Sequence, residues 1–123
     1  MAELLRAFLS GEIAVTDLRH ADHVRVGFEL LQRHPFDEAA FAFGATLRGM
    51  ATRAGKPNAY HATITLAFMS VIAERSEGFD DYSKFADANA DLMEKSVLSR
   101  WYAPERLSSG IARNTFVLPE PTR

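Results

Sequence analysis

The stretch from Ala59 to about Arg75 constrains this chain more than any other. Its apolar residues, among them Ile64, Leu66, Ala67, Phe68, Val71 and Ile72, wrap most of the way round a helix. Such a helix needs neighbours on nearly every side and belongs at the centre of a bundle. The rest of the chain can supply them. Leu4, Leu5, Phe8 and Leu9 share one face of a short helix from Ala2 to Ser10, with Gly11 where a C-terminal cap would sit. A connector over 12–18 follows, with Thr16 and Asp17 as candidate N-caps. The second helix then carries Val24, Phe28, Leu30 and Leu31 to His34, where Pro35 stops it. A third begins near Asp37, repeats Ala40, Phe43, Leu47, Met50 and Ala54 at helical spacing, and closes at Gly55. Asn58 is the expected cap of the central helix.

Beyond Gly78 the pattern predicts two shorter helices, from about Asp80 to Ala88 and from about Asp91 to Trp101, the second ended by Pro104. The tail over 108–123 opens with a single helical turn near Ile111 and Ala112. It then runs through Phe116, Val117 and Leu118 between polar and proline-rich flanks, as an extended strap laid on the bundle. No stretch alternates with period two and no long repeat is visible. The expected fold is all-α: a single compact bundle of about five or six helices over residues 1–123, with an extended C-terminal strap. A length of 123 residues suits one core, and an apolar share of 47% is enough to fill it.

Charge and composition narrow the function. The formal net charge is −2 with both signs interspersed, so no basic stripe suggests nucleic acid. There is no cysteine, so any metal would have to be held by His, Asp or Glu. The longest nearly apolar run, Leu66 to Ala73, falls far short of the roughly 20 residues a membrane span requires. Glu3 and Arg6 interrupt the apolar N-terminus, which therefore reads as a helix rather than a signal peptide, with the cytoplasm as the default compartment.

The polar residues that do not fit a plain core are the informative ones. His20 and His23 are three residues apart at the start of the second helix, so they share a face, which continues through Gly27. Gly27 signals close helix packing or space kept open, since an interior helical glycine costs about 1 kcal/mol relative to alanine. His61 lies in the first turns of the central helix together with Tyr60, Thr63 and Thr65. With Asn58 as cap, His61 falls near the third helical position, where the helix dipole favours a neutral ring.

These positions suggest a pocket between the second and fourth helices lined by His20, His23 and His61. Asp22, Arg25, Tyr60, Thr65 or Glu74 would support or orient a substrate. Three histidines could hold a divalent metal, zinc or iron, with an open coordination position. They could equally provide metal-free acid and base catalysis, with His23, His61 and Tyr60 as the catalytic candidates. The Glu-x-x-His pairs of di-iron bundles and the His-Glu-x-x-His of zinc proteases are both absent. A plainer account competes with these. His20 could cap its helix, His23 could bond a backbone carbonyl, and His61 could be satisfied by Asp22. Near the C-terminus, Trp101, Tyr102, Pro104, Glu105, Arg106 and Leu107 form an aromatic and proline corner. It would be a packed turn with both rings buried and Glu105 paired with Arg106, or a lid in which Tyr102 or Arg106 reaches over the pocket to orient an anion.

Three spaced pieces carry a resemblance: His20, Asp22, His23 and Arg25; Tyr60, His61, Thr63, Ile64 and Thr65; and Tyr102, Pro104, Glu105, Arg106 and Leu107 with Arg113, Phe116 and Pro119. Over about residues 18–119 the chain resembles a group of small bacterial all-helical proteins of uncharacterised function. In that pattern a bulky aromatic often stands where this chain has Gly27 and Phe28. The resemblance implies a shared helical fold and a common site around His20, His23 and His61, and it implies no reaction. Two functions therefore stand at this point. The first is a small cytosolic enzyme or binding protein for a small polar or anionic ligand, drawn by two helix N-termini and Arg25. The second is a non-catalytic helical module with structural histidines, acting through self-association as a homodimer or through partner binding.

Overall fold

In the computed structural model, which describes residues 3–14 and 17–121, the chain forms a helical bundle without a strand among the described residues. Among the described residues seven α-helices follow one another: α1 (Glu3–Ser10), α2 (His20–Arg33), α3 (Phe36–Arg53), α4 (Ala62–Ser76), α5 (Tyr82–Ala88), α6 (Pro104–Leu107) and α7 (Gly110–Asn114). Short 3-10 segments occupy Pro57–Ala59, Ala90–Met93 and Lys95–Arg100. Gly11 and Gly55 close α1 and α3 with φ of 78° and 74°, the left-handed region that a residue bearing a Cβ enters only at a cost.

The central role expected for the fourth helix is met. Ala67, Phe68 and Ile72 of α4 belong to a core cluster with Val24 and Phe28 of α2, Phe85, Leu92, Val97 and Leu98. Met69 joins the other cluster, made with Leu5, Phe8, Val26, Leu30 and Phe43. Helices α2 and α4 thus feed both clusters and pack closely at Gly27. A Cβ there would lie 3.0 Å from the Met69 sulfur and 3.1 Å from Ile72 Cδ1, so the glycine marks a near approach of the two helices.

Several boundaries differ from expectation. Arg19 and not Asp17 is the N-cap of α2, and Asp22 at N3 accepts from the Arg19 backbone N–H at 3.0 Å. The other candidate cap, Thr16, lies outside the described residues. Helix α4 starts later than expected: Asn58 sits inside a 3-10 turn begun by Pro57, and His61 itself is the N-cap.

The α-helix expected over 91–101 is replaced by two 3-10 segments separated by an extended Glu94. The core explains the break. On one α-helix Val97 and Leu98 would stand about 140° and about 120° away from Leu92, too far round to share a buried stripe. Breaking the chain at Glu94 lets Leu92, Val97 and Leu98 all go inside. Asp91 anchors the first segment by accepting from Arg75 at 2.7 Å and from Arg100 at 2.8 Å. Pro104, expected only as a stop, opens α6 at its first position, where its missing N–H is no loss. Ser109 caps α7.

Residues 115–121 lie outside any helix, and their backbone is tied down by side chains. The fully buried Thr63 hydroxyl donates to the Thr115 carbonyl at 2.8 Å and accepts from the Val117 N–H at 3.0 Å. The Tyr102 hydroxyl donates to the Val117 carbonyl and Arg106 to the Leu118 carbonyl, both at 2.8 Å. No described helix is long and apolar enough to cross a membrane.

Candidate functional site

Where α2, α3 and α4 meet the 3-10 segment Lys95–Arg100, the bundle leaves a cavity of about 350 Å³. His20, His23 and His61 all line it, with Tyr60 and Thr65. Most of the remaining wall is apolar, including Phe43, Leu47, Ile64, Phe68, Ile72 and Leu98. Small-molecule sites have this character: concave, mostly apolar, with few polar groups, and about 300–1,000 Å³ in volume.

The three imidazoles are not equivalent. His61 is half-way through two bonds at once: its Nδ1 accepts from the Ile64 N–H at 3.1 Å, and its Nε2 donates to the Leu107 carbonyl at 2.7 Å. That pair of partners fits only a ring with the proton on Nε2, and it leaves neither nitrogen for a metal or a substrate proton. Thr65, one turn on, donates to the His61 carbonyl at 2.7 Å. His20, the first residue of α2, gives its Nε2 to the Leu92 carbonyl at 2.9 Å and sets its ring edge-on to Phe68, centroids 4.8 Å apart. His23 has no such hydrogen bond at its Nε2. Its Nε2 is buried and without a partner, and its nearest aromatic contact is an edge-on approach to Phe43 with centroids 6.3 Å apart. Burial holds the His23 ring below the ordinary imidazole value, the charges of His20 and Lys95 add to this, and Asp22 opposes it.

The expected metal centre is not assembled. No group of three or more His, Asp or Glu side chains among the described residues could hold a metal ion. The Nε2 atoms of His20 and His61 are turned to backbone carbonyls 72 and 46 residues away from them in the sequence. His61 is satisfied by Leu107 and not by Asp22.

Other expected site residues are placed elsewhere. Asp22 caps its own helix. Arg25 pairs with Glu29 at 3.0 Å and lies 5.2 Å over the Tyr82 ring, in a separate surface depression. Among the described residues the second carboxylate oxygen of Glu29 is the other buried side-chain polar atom without a partner, and Glu29 is not part of the cavity lining. Glu74 is exposed. Tyr102 is buried in the core and Arg106 holds Leu118, so neither serves as a lid over the cavity. Trp101, expected to be buried, is 43% exposed, and Glu105 makes no ion pair with Arg106 among the described residues.

Tyr60 is at the wall, its ring covered by Arg48 at 4.4 Å and its hydroxyl running over Gly44, where a Cβ would come within 3.0 Å of it. Reading the sequence did not pick out Lys95, Phe43 or Leu98 as site residues. Phe43 and Leu98 look like ordinary core positions. Lys95 is exposed and joins the cavity lining through a 3-10 segment that no pattern announced. No protein-family model, curated protein or solved structure matches the chain, and the resemblance drawn above rests on its three motifs.

Proposed function

We propose that the protein binds a small, largely apolar molecule in the cavity between α2, α3 and α4, with His23 as the polar group that meets it and without a metal. One observation carries this reading. Of three histidines on the cavity wall, two have their Nε2 atoms engaged by backbone carbonyls and the third, half-buried His23, has a buried Nε2 without a partner. An unpaired buried donor or acceptor costs about 1–3 kcal/mol, a cost that a ligand would remove once a turn of the His23 ring brings that nitrogen to the cavity. His23 is also the candidate for any acid or base step, because a neutral imidazole can accept a proton. His61, bonded at both nitrogens, is assigned a structural part, and the tail over 115–121 acts as a strap that keeps α4 and the Leu107 carbonyl in place. A purely structural role for all three rings draws support from the bonds of His20 and His61, but it leaves His23 without an account.

Titration of isotope-labelled protein with 4-phenylbutan-1-ol, followed by NMR, tests the reading. Saturable shifts are expected at the amides of Leu47, Thr65 and Leu98, and an Ala51→Leu variant that fills the cavity should lose them while keeping its helical circular dichroism. Shifts that are absent, or that persist in the filled variant, would overturn the proposal. A one-to-one zinc complex requiring all three histidines would overturn its metal-free part.

A further inference from the structure

We infer that the ligand of this cavity is a monoanion, a small carboxylate with an apolar body. Its charged end would pair with Lys95 and its body would lie among Phe43, Ile64, Phe68 and Leu98. The inference rests on the cavity being a ligand site and concerns which chemical class it takes.

The argument begins with charge. Lys95 is the one Lys, Arg, Asp or Glu among the cavity-lining residues, and no acidic side chain pairs with it among the described residues. A lone cation beside low-dielectric walls attracts anions and repels cations, and the walls focus its field into the cavity. A single positive charge matches one negative charge, whereas a dianion would bring an excess charge against apolar side chains at high desolvation cost. Position supports the same choice. Lys95 is exposed, so a carboxylate beside it stays partly hydrated while the attached body leaves water entirely. His23 lies close enough to Lys95 for that charge to act on its ring, and both line the cavity, so a carboxylate held by Lys95 is also within the influence of the unpaired imidazole on that wall. Volume sets the size. About 350 Å³ is near the lower end of the range for small-molecule sites, which admits a ring with a short chain and excludes a long-chain fatty acid.

Calorimetry with a matched set of probes tests this: 4-phenylbutyrate, 4-phenylbutan-1-ol and acetate, each against the wild type and Lys95→Gln. The carboxylate should bind about tenfold tighter than the alcohol, as a charge-assisted pair of modest burial would give. Acetate should bind hardly at all. Lys95→Gln should bring the carboxylate to within about twofold of the alcohol and leave the alcohol unchanged, and added salt should weaken only the carboxylate. Because Lys95 is exposed, the variant is expected to fold, and an unchanged alcohol affinity verifies it. If the alcohol binds as well as the carboxylate, or if Lys95→Gln changes nothing, the anion inference fails and the cavity reading stands. If acetate matches phenylbutyrate, the apolar body is refuted. If none of the three binds, both readings fall.

Discussion

Helix α4 has two differently treated sides. Toward the C-terminal segment, the polar groups that go inside are matched: Thr63 both donates and accepts, and Tyr102 reaches Val117. Toward the cavity the walls are mostly apolar, and beside the bonded His20 and Thr65, His23 keeps a buried nitrogen with nothing to bond. The first arrangement joins parts of the chain 52 and 54 residues apart, and its value is stability. The second gives up some stability and leaves space, which is the condition for binding something else. His61 stands on the border and belongs with the first side, since its two bonds tie the start of α4 to the end of α6.

If this division is right, the largest loss of stability should come from the saturated side. Thr63→Val keeps the shape and strips both bonds, leaving the Thr115 carbonyl and Val117 N–H without their partner, and should cost about 2–4 kcal/mol in urea denaturation. A loss below about 1 kcal/mol would show that the segment peels away freely and that the seam contributes little. His61→Ala removes an N-cap and the partner of the Leu107 carbonyl together, and should cost about 2–3 kcal/mol. His23→Leu should differ in kind. It replaces a half-buried imidazole carrying an unpaired buried nitrogen by an apolar side chain among mostly apolar neighbours, so stability should change by no more than about 1 kcal/mol and can rise. Should His23→Leu prove as damaging as His61→Ala, the contrast between the two sides collapses.

How far the sequence foretold this contrast depends on which physics it encodes locally. Periodicity and glycine positions announced α1 to α4, because burying a helical stripe is a repeated local demand. The same-face spacing of His20 and His23 and the small residue at Gly27 pointed to the α2–α4 contact. What stayed hidden was decided across the chain. The partners of His20 and His61 are backbone carbonyls, and a carbonyl carries no residue identity that a motif could display. The cap of α4 was misplaced because Pro57 starts a 3-10 turn, which moves the helix start past the asparagine to a histidine that caps less commonly. Arg25 looked like part of the site because it shares a motif with His23, yet its side chain turns to Glu29 and Tyr82. Lys95 escaped notice because its place follows from the break at Glu94, a consequence of tertiary packing.

The smallest expected effect sharpens the comparison most, because it isolates His23 by its chemistry. Burial lowers the proton affinity of this ring in the folded chain, with His20 and Lys95 acting in the same direction and Asp22 against them. Above the ordinary imidazole value of about 6.5, the ring is neutral in both folded and unfolded chains and contributes no pH dependence. As pH falls below that value the unfolded chain takes up a proton that the folded chain resists, so folding stability falls with pH until the lowered folded value is passed. The wild type should therefore lose stability between neutral and mildly acidic pH, and His23→Leu should lose less over the same interval. The quantity to measure is the difference between the two denaturation free energies as a function of pH, since the remaining histidines and the carboxylates contribute to both proteins. Parallel curves would mean that His23 protonates as easily in the folded chain as in the unfolded one, and that the cavity side holds no withheld hydrogen bond for a ligand to complete.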